Sequence, residues 1–203
     1  MTNDKTIDVR PHVDSSVRGA AAAEMSRRTP TEVARLRLPW LLGTMVIELV
    51  AGMIIARFDA VLRDVILLAS FMPVISAVSG NVGLQAAAIV VRGLDTGHIS
   101  LERWAHAVRH ELLTALAIAG VMGSAVTIIA SLWSHRLLFG VVVGLAMLCA
   151  VLTAGLLGTL IPMLSARLGF DPATTAGPFE TAVQDVIGFT VFLWTATTLA
   201  RWL

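Results

Sequence analysis

The sequence predicts an all-α integral membrane protein with five transmembrane helices. Three features carry that expectation. Of 203 residues, 56% are hydrophobic and 14% are charged, with a mean hydropathy of +0.80, whereas soluble domains sit near 45–50% apolar and about 25% charged. Charge-free runs recur, including Val65–Val91 and Leu137–Ala166, and about 20 apolar residues suffice to cross a bilayer. The charges collect in short segments between these runs, as loops between spans require.

Residues 1–38 are expected to form a cytoplasmic tail with a short pre-membrane helix. Pro11, Pro30 and a polar composition suit a mobile tail. Thr29-Pro30-Thr31-Glu32 can cap a helix that runs through Arg35 and Arg37. No apolar secretory core is visible in these residues. Residues 39–203 are expected to form the membrane domain. The first span is predicted over Pro39–Ala56, with Pro39 at a helix start and Glu48 at its middle. The second is the Val65–Val91 run, with a bend at Pro73. The loop from Arg92 to Glu111 has Leu101, Trp104, Ala105 and Val108 at helical spacing, which predicts a separate amphipathic interfacial helix.

The third span is expected over Leu112–Ser134 and the fourth within Leu137–Ala166, joined as an antiparallel hairpin by His135-Arg136. Gly140-Val-Val-Val-Gly144 is a G-x-x-x-G pattern, which signals close helix packing without naming the partner. Asp171-Pro172 and Gly177-Pro178 are turn or helix-start signals. The fifth span follows from Phe179 to Ala200. With the N-terminus cytoplasmic, eleven Lys and Arg lie inside and four outside. This predicts a multi-pass protein of the cell membrane whose C-terminus is outside.

Polar residues within the spans are the candidate functional groups. Ala77, Asn81 and Gln85 are spaced i, i+4, i+8 and share one helix face. Their amides either hydrogen-bond neighbouring helices or line a polar path. Thr181, Asp185 and Gly188 share a face of the fifth span, while Glu180 points about 140° away from Asp185. Asp185 is the strongest candidate, because a lone intramembrane carboxylate needs a cation, a proton or water. Glu48 is either a proton or cation group or a neutral acid bonded to a neighbouring helix. No Lys follows Lys5 and no Arg lies within a predicted span. Carboxylates, amides and hydroxyls without bases suit a hard, hydrated cation such as magnesium. One aspartate per chain is a thin site, so two copies across a two-fold axis are expected, forming a homodimer.

Other chemistries find little support. There is no Walker loop, G-x-S-x-G, H-E-x-x-H or cysteine cluster. The expectation is therefore a non-enzyme, with neither a catalytic residue nor a bound cofactor beyond the transported ion, and without a nucleic-acid partner. Cys149 has no partner for an intrachain disulfide. His106 and His110, at i, i+4, have the spacing of a transition-metal pair but lack an evident third ligand.

Several segments together resemble the MgtE family of magnesium transporters. They are Arg37-Leu38-Pro39-Trp40-Leu41-Leu42, then Gly80-Asn81-x-Gly83-x-Gln85 through Arg92. Gly169-Phe170-Asp171-Pro172-Ala173, Gly177-Pro178 and Asp185-Val186-x-Gly188 complete the set. The resemblance covers about residues 31–203 and implies a dimer whose pore is built from the second and fifth helices. It implies hydrated Mg²⁺ on Asp185, help from the backbone carbonyl of Thr181, and Asn81 beside the path. Gln85, Glu180 and Glu48 are secondary candidates; Glu180 is expected either to tune ion access, to bind a second cation or to stabilise the helix N-terminus. The family's large cytoplasmic domain and paired CBS sensor domains have no counterpart in the short tail, which leaves the expected regulation open.

Overall fold

The computed structural model describes residues 29–170 and 172–199. The tail before Thr29, Asp171 and the residues after Leu199 lie outside the described residues. The chain divides into two compact units, Met1–Leu42 and Gly43–Leu203.

The described part of the first unit begins helix α1, Pro30–Arg57. Its start is a reciprocal cap. The Thr29 N–H donates to Glu32 Oε2 at 2.9 Å, and the Glu32 N–H donates to Thr29 Oγ1 at 3.4 Å. Pro30 takes the first helical position, where its missing N–H costs nothing. The start signal therefore acts as expected. Pro39, however, lies inside α1 rather than opening a second helix.

The second unit contains the rest of α1 and six further helices. These are α2 (Asp59–Asp64), α3 (Leu67–Asp95), α4 (Trp104–Ser134), α5 (Leu137–Arg167), α6 (Pro172–Thr175) and α7 (Pro178–Leu199). α3, α5, α7 and the helix from Leu101 to Ser134 are long and apolar enough to cross a membrane; α1, interrupted around Pro39, makes a fifth when counted as one span. α3 runs unbroken through Pro73. The separate interfacial helix is not observed. Leu101–Arg103 form a 3₁₀ turn that leads directly into α4, so the amphipathic stretch is the first turns of the third long helix. Its apolar residues continue the same helical face, and nothing in the sequence between Trp104 and Leu112 stops the helix.

α5 is the centre of the bundle, with α4, α3 and α7 packed around it. Its buried residues include Phe139, Val143, Met147, Val151, Ala154 and Pro162. The α4–α5 hairpin turns at His135, which adopts φ 55°, and the Ser134 hydroxyl receives the Arg136 N–H at 3.2 Å. Gly140 and Gly144 face α4 of the same chain. A Cβ at Gly144 would collide with Thr127 and meet the Gly123 carbonyl at 2.8 Å. The G-x-x-x-G pattern is thus consumed within the hairpin.

A second close approach joins α3 to α5, where Gly158 sits on the Gly83 backbone. Small residues let two backbones meet, and the gain is dispersion between well-packed atoms. Hydroxyls within the bundle are satisfied locally: Ser79 donates to the Ile75 carbonyl at 2.7 Å and Thr159 to Gly155 at 2.8 Å. The outer face of α4 carries Val121, Ile128 and Leu132, all exposed, as a lipid-facing surface should.

Overpacking a tight contact costs about 1–3 kcal/mol. Gly158→Ala should therefore lower the thermal unfolding midpoint in detergent. Gly120→Ala, where a Cβ meets nothing within 4 Å, should leave the midpoint unchanged or raise it.

Candidate functional site

α7 and α3 bring the central acid to its partner. Asp185 is half-buried on α7, and its Oδ1 accepts a hydrogen bond from Ser76 Oγ of α3 at 2.6 Å. The Glu48 carboxyl of α1, exposed in the single chain, is near enough to Asp185 for the two acids to interact electrostatically. Two carboxyls from different helices and one serine thus face the same region, while Arg57, Arg92, Arg109 and Arg167 of the long helices all lie within two turns of a helix end. Such a pair attracts either a cation or a shared proton.

Thr181 lies one turn before Asp185 and is half-buried; its hydroxyl bonds back to the Gly177 carbonyl at 3.2 Å. On α3, Ala77, Asn81 and Gln85 are all exposed in the single chain, while Ser79, Gly80, Val82 and Gly83 beside them are buried. The predicted polar face is therefore turned away from the chain's own core. Its amides make no hydrogen bond to α7 among the described hydrogen bonds.

Glu180 takes a different place. It is fully buried, with Oε1 2.5 Å from where a Cβ on Gly83 would stand and the Ala154 carbonyl 3.4 Å from that same point. A side chain at position 83 would require this carboxyl to move. Gln184, one turn on, is also fully buried, with its Nε2 against Gly188 and Ser79 nearby. Neither oxygen of Glu180 and neither amide atom of Gln184 has a hydrogen-bond partner among the described residues. Buried polar groups in this state are costly. Glu180 and Gln184 thus form a polar stripe on the inner side of α7, separate from the face that presents Asp185.

Among the described residues no group of three or more His, Cys, Asp or Glu is arranged to hold a metal ion. His106 and His110 accordingly lack the further ligands a transition-metal centre needs. The Asp185 site offers a pair of carboxyls, a composition suited to an ion that keeps most of its own water.

Two contributors escaped the sequence reading. Ser76 follows Pro73 by three residues, and only the tertiary pairing of α3 with α7 identifies it as the partner of Asp185. Gln184 sits between Val183 and Asp185 in the fifth span, and its own polarity was the available signal.

The comparisons bear on the same region. A family model described as "MgtE: Divalent cation transporter" matches residues 72–195, which contain Ser76, Asn81, Gln85, Glu180, Thr181 and Asp185. The chain is 34% identical over 188 residues to the "Magnesium transporter MgtE" of Enterococcus faecalis, covering 93% of this chain and 41% of that protein. It is 31% identical over 201 residues to the protein of that name from Bacillus subtilis, covering 97% and 45%. For the one from Thermus thermophilus the figures are 30% over 168 residues, 83% and 37%. The chain spans less than half the length of each of these relatives. With the family match running through every long helix from α3 to α7, the chain belongs to the MgtE divalent cation transporter family.

Proposed function

We propose that this chain carries magnesium across the membrane as a homodimer, along a polar path formed by α3 and α7. The observation that carries the reading is the convergence of Asp185, Glu48 and Ser76 in a helical bundle without an internal base. Holding a carboxylate away from water costs several kcal/mol unless a positive charge answers it. A hydrated divalent ion supplies that charge. The relatives' name, "Magnesium transporter MgtE", supports magnesium as the ion.

In this reading Asp185 faces the ion's water shell, and Ser76 fixes one carboxylate oxygen while leaving the other for that shell. The backbone carbonyl of Thr181 contributes from the same helix face. Asn81 and Gln85, exposed on α3, belong to the surface that meets a second copy or the aqueous path between copies. That accounts for two amides on an otherwise apolar helix. The N-terminus is on the cytoplasmic side and the C-terminus outside. Glu180 lies buried behind the path, without a hydrogen-bond partner among the described residues.

A second reading is favoured by one observation, the nearness of Glu48 to Asp185. Two carboxyls that share a site can bind and release a monovalent ion or a proton against a divalent one, giving a sodium- or proton-coupled carrier with Glu48 as the coupling group.

Purified protein in liposomes, with internal magnesium followed by a fluorescent indicator, tests both. Asp185→Ala should abolish flux and Asp185→Asn should reduce it nearly as far; wild-type flux from Asp185→Ala refutes the magnesium reading. Ser76→Ala removes a charge-assisted hydrogen bond of about 1.5–3 kcal/mol. It should therefore weaken magnesium affinity by roughly tenfold or more, with flux retained at saturating ion. Imposed sodium or proton gradients decide the second reading: flux that follows the gradient and loses this dependence in Glu48→Gln establishes coupling, and gradient-independent flux removes it.

A further inference from the structure

Where α3 ends and α4 begins, a cavity of about 740 Å³ opens at the end of the bundle. The connecting turn folds back onto α3 to make one wall. Gly97, at φ 72°, allows the reversal. The Ile99 N–H then donates to the Gly93 carbonyl at 2.9 Å. The Ile99 side chain fills the space that a Cβ on Gly93 would need, 2.5 Å away.

This fold-back gathers positive charge that the sequence scatters over nineteen positions. Arg92, Arg103, His98, His106 and His110 all line the cavity. Neither arginine is ion-paired among the described residues. The single lining carboxylate, Glu111, is 8% exposed, with its stem toward Gly155. Asp95 and Glu102, although close in sequence, are not among the lining residues. The cavity is therefore cationic even with every imidazole neutral. One part of its wall is apolar, through Ile89, Val90 and Ile99, with Thr96 and Ser100 also on the lining, and Ile89 is 58% exposed.

A cationic rim above an apolar wall at the end of membrane-spanning helices matches an amphipathic anion. Inorganic phosphate shares the head chemistry but gains nothing from the Ile89 side. We propose that this cavity binds the phosphate of an anionic phospholipid, held by Arg92 and Arg103, with the imidazoles of His106 and His110 as further donors. The lipid's glycerol and upper acyl chain lie along Ile89 and Ile99. The arginine distribution assigns this end of the bundle to the cytoplasmic leaflet, where anionic headgroups attract basic side chains.

The experiment measures binding of a fluorescent short-chain phosphatidylglycerol to the purified full chain, with the matching phosphatidylcholine and inorganic phosphate as competitors. Phosphatidylglycerol should bind saturably, and phosphatidylcholine should compete about tenfold more weakly or worse. Each of Arg92→Gln and Arg103→Gln should weaken binding about five-fold, the effect of about one basic residue at a membrane surface. Magnesium binding should be unchanged in both variants, which shows that they fold. Equal competition by the two lipids, or wild-type affinity in both variants, overturns the proposal. Displacement by inorganic phosphate as effective as displacement by unlabelled phosphatidylglycerol overturns the lipid assignment and makes this a site for soluble phosphate.

Discussion

An acid placed among apolar helices without an internal base constrains everything around it. Lipid supplies no hydrogen bonds, so the backbone must satisfy itself within helices, and side-chain hydroxyls turn back on their own carbonyls, as Ser79 and Thr159 do. Asp185 cannot be satisfied in that way. It draws a serine from one helix and interacts with an acid from another, and the proposed ion would answer the charge that these partners leave. The bundle can hold such a group because its frame is stiff where α3, α5 and α7 meet. Gly83 and Gly158 bring two backbones together there without an intervening side chain.

That same tight contact shapes the second acidic position. Glu180 is accommodated because Gly83 presents no Cβ, so one glycine serves both helix approach and carboxyl burial. The two acids of α7 consequently live in different surroundings five residues apart. Asp185 is half-buried and bonded; Glu180 is fully buried beside an amide that is equally without a partner. The angular separation read from helical periodicity is what places them on different sides of the helix.

Much of this was legible in the sequence because it depends on local rules. Charge-free length marked the spans, the Thr29–Glu32 pattern marked the start of α1, and His135-Arg136 marked the hairpin. The shared face of Asn81 and Gln85 followed from i, i+4 spacing. What escaped depends on pairings between distant segments. Ser76 is 109 residues from Asp185, and no local pattern ties the two. The nearness of Glu48 to Asp185 is of the same kind. The stretch at 101–108 was misplaced for another reason: an amphipathic repeat is compatible with a separate helix, but it does not compel one when the adjoining helical turns are continuous.

The two carboxyls at the centre are held unequally. Asp185 belongs to a helix wedged against α5 and is pinned by a hydroxyl. Glu48 rides on the second-unit stretch of α1, where Ala51 is the only buried residue among those described. One jaw of the site is fixed and the other is mounted on a lightly held arm. In the proposed path, a small tilt of that arm would change the spacing between the two carboxyls, and with it how much water an ion must shed to pass. The grip on the first helix would then set how finely ions are told apart.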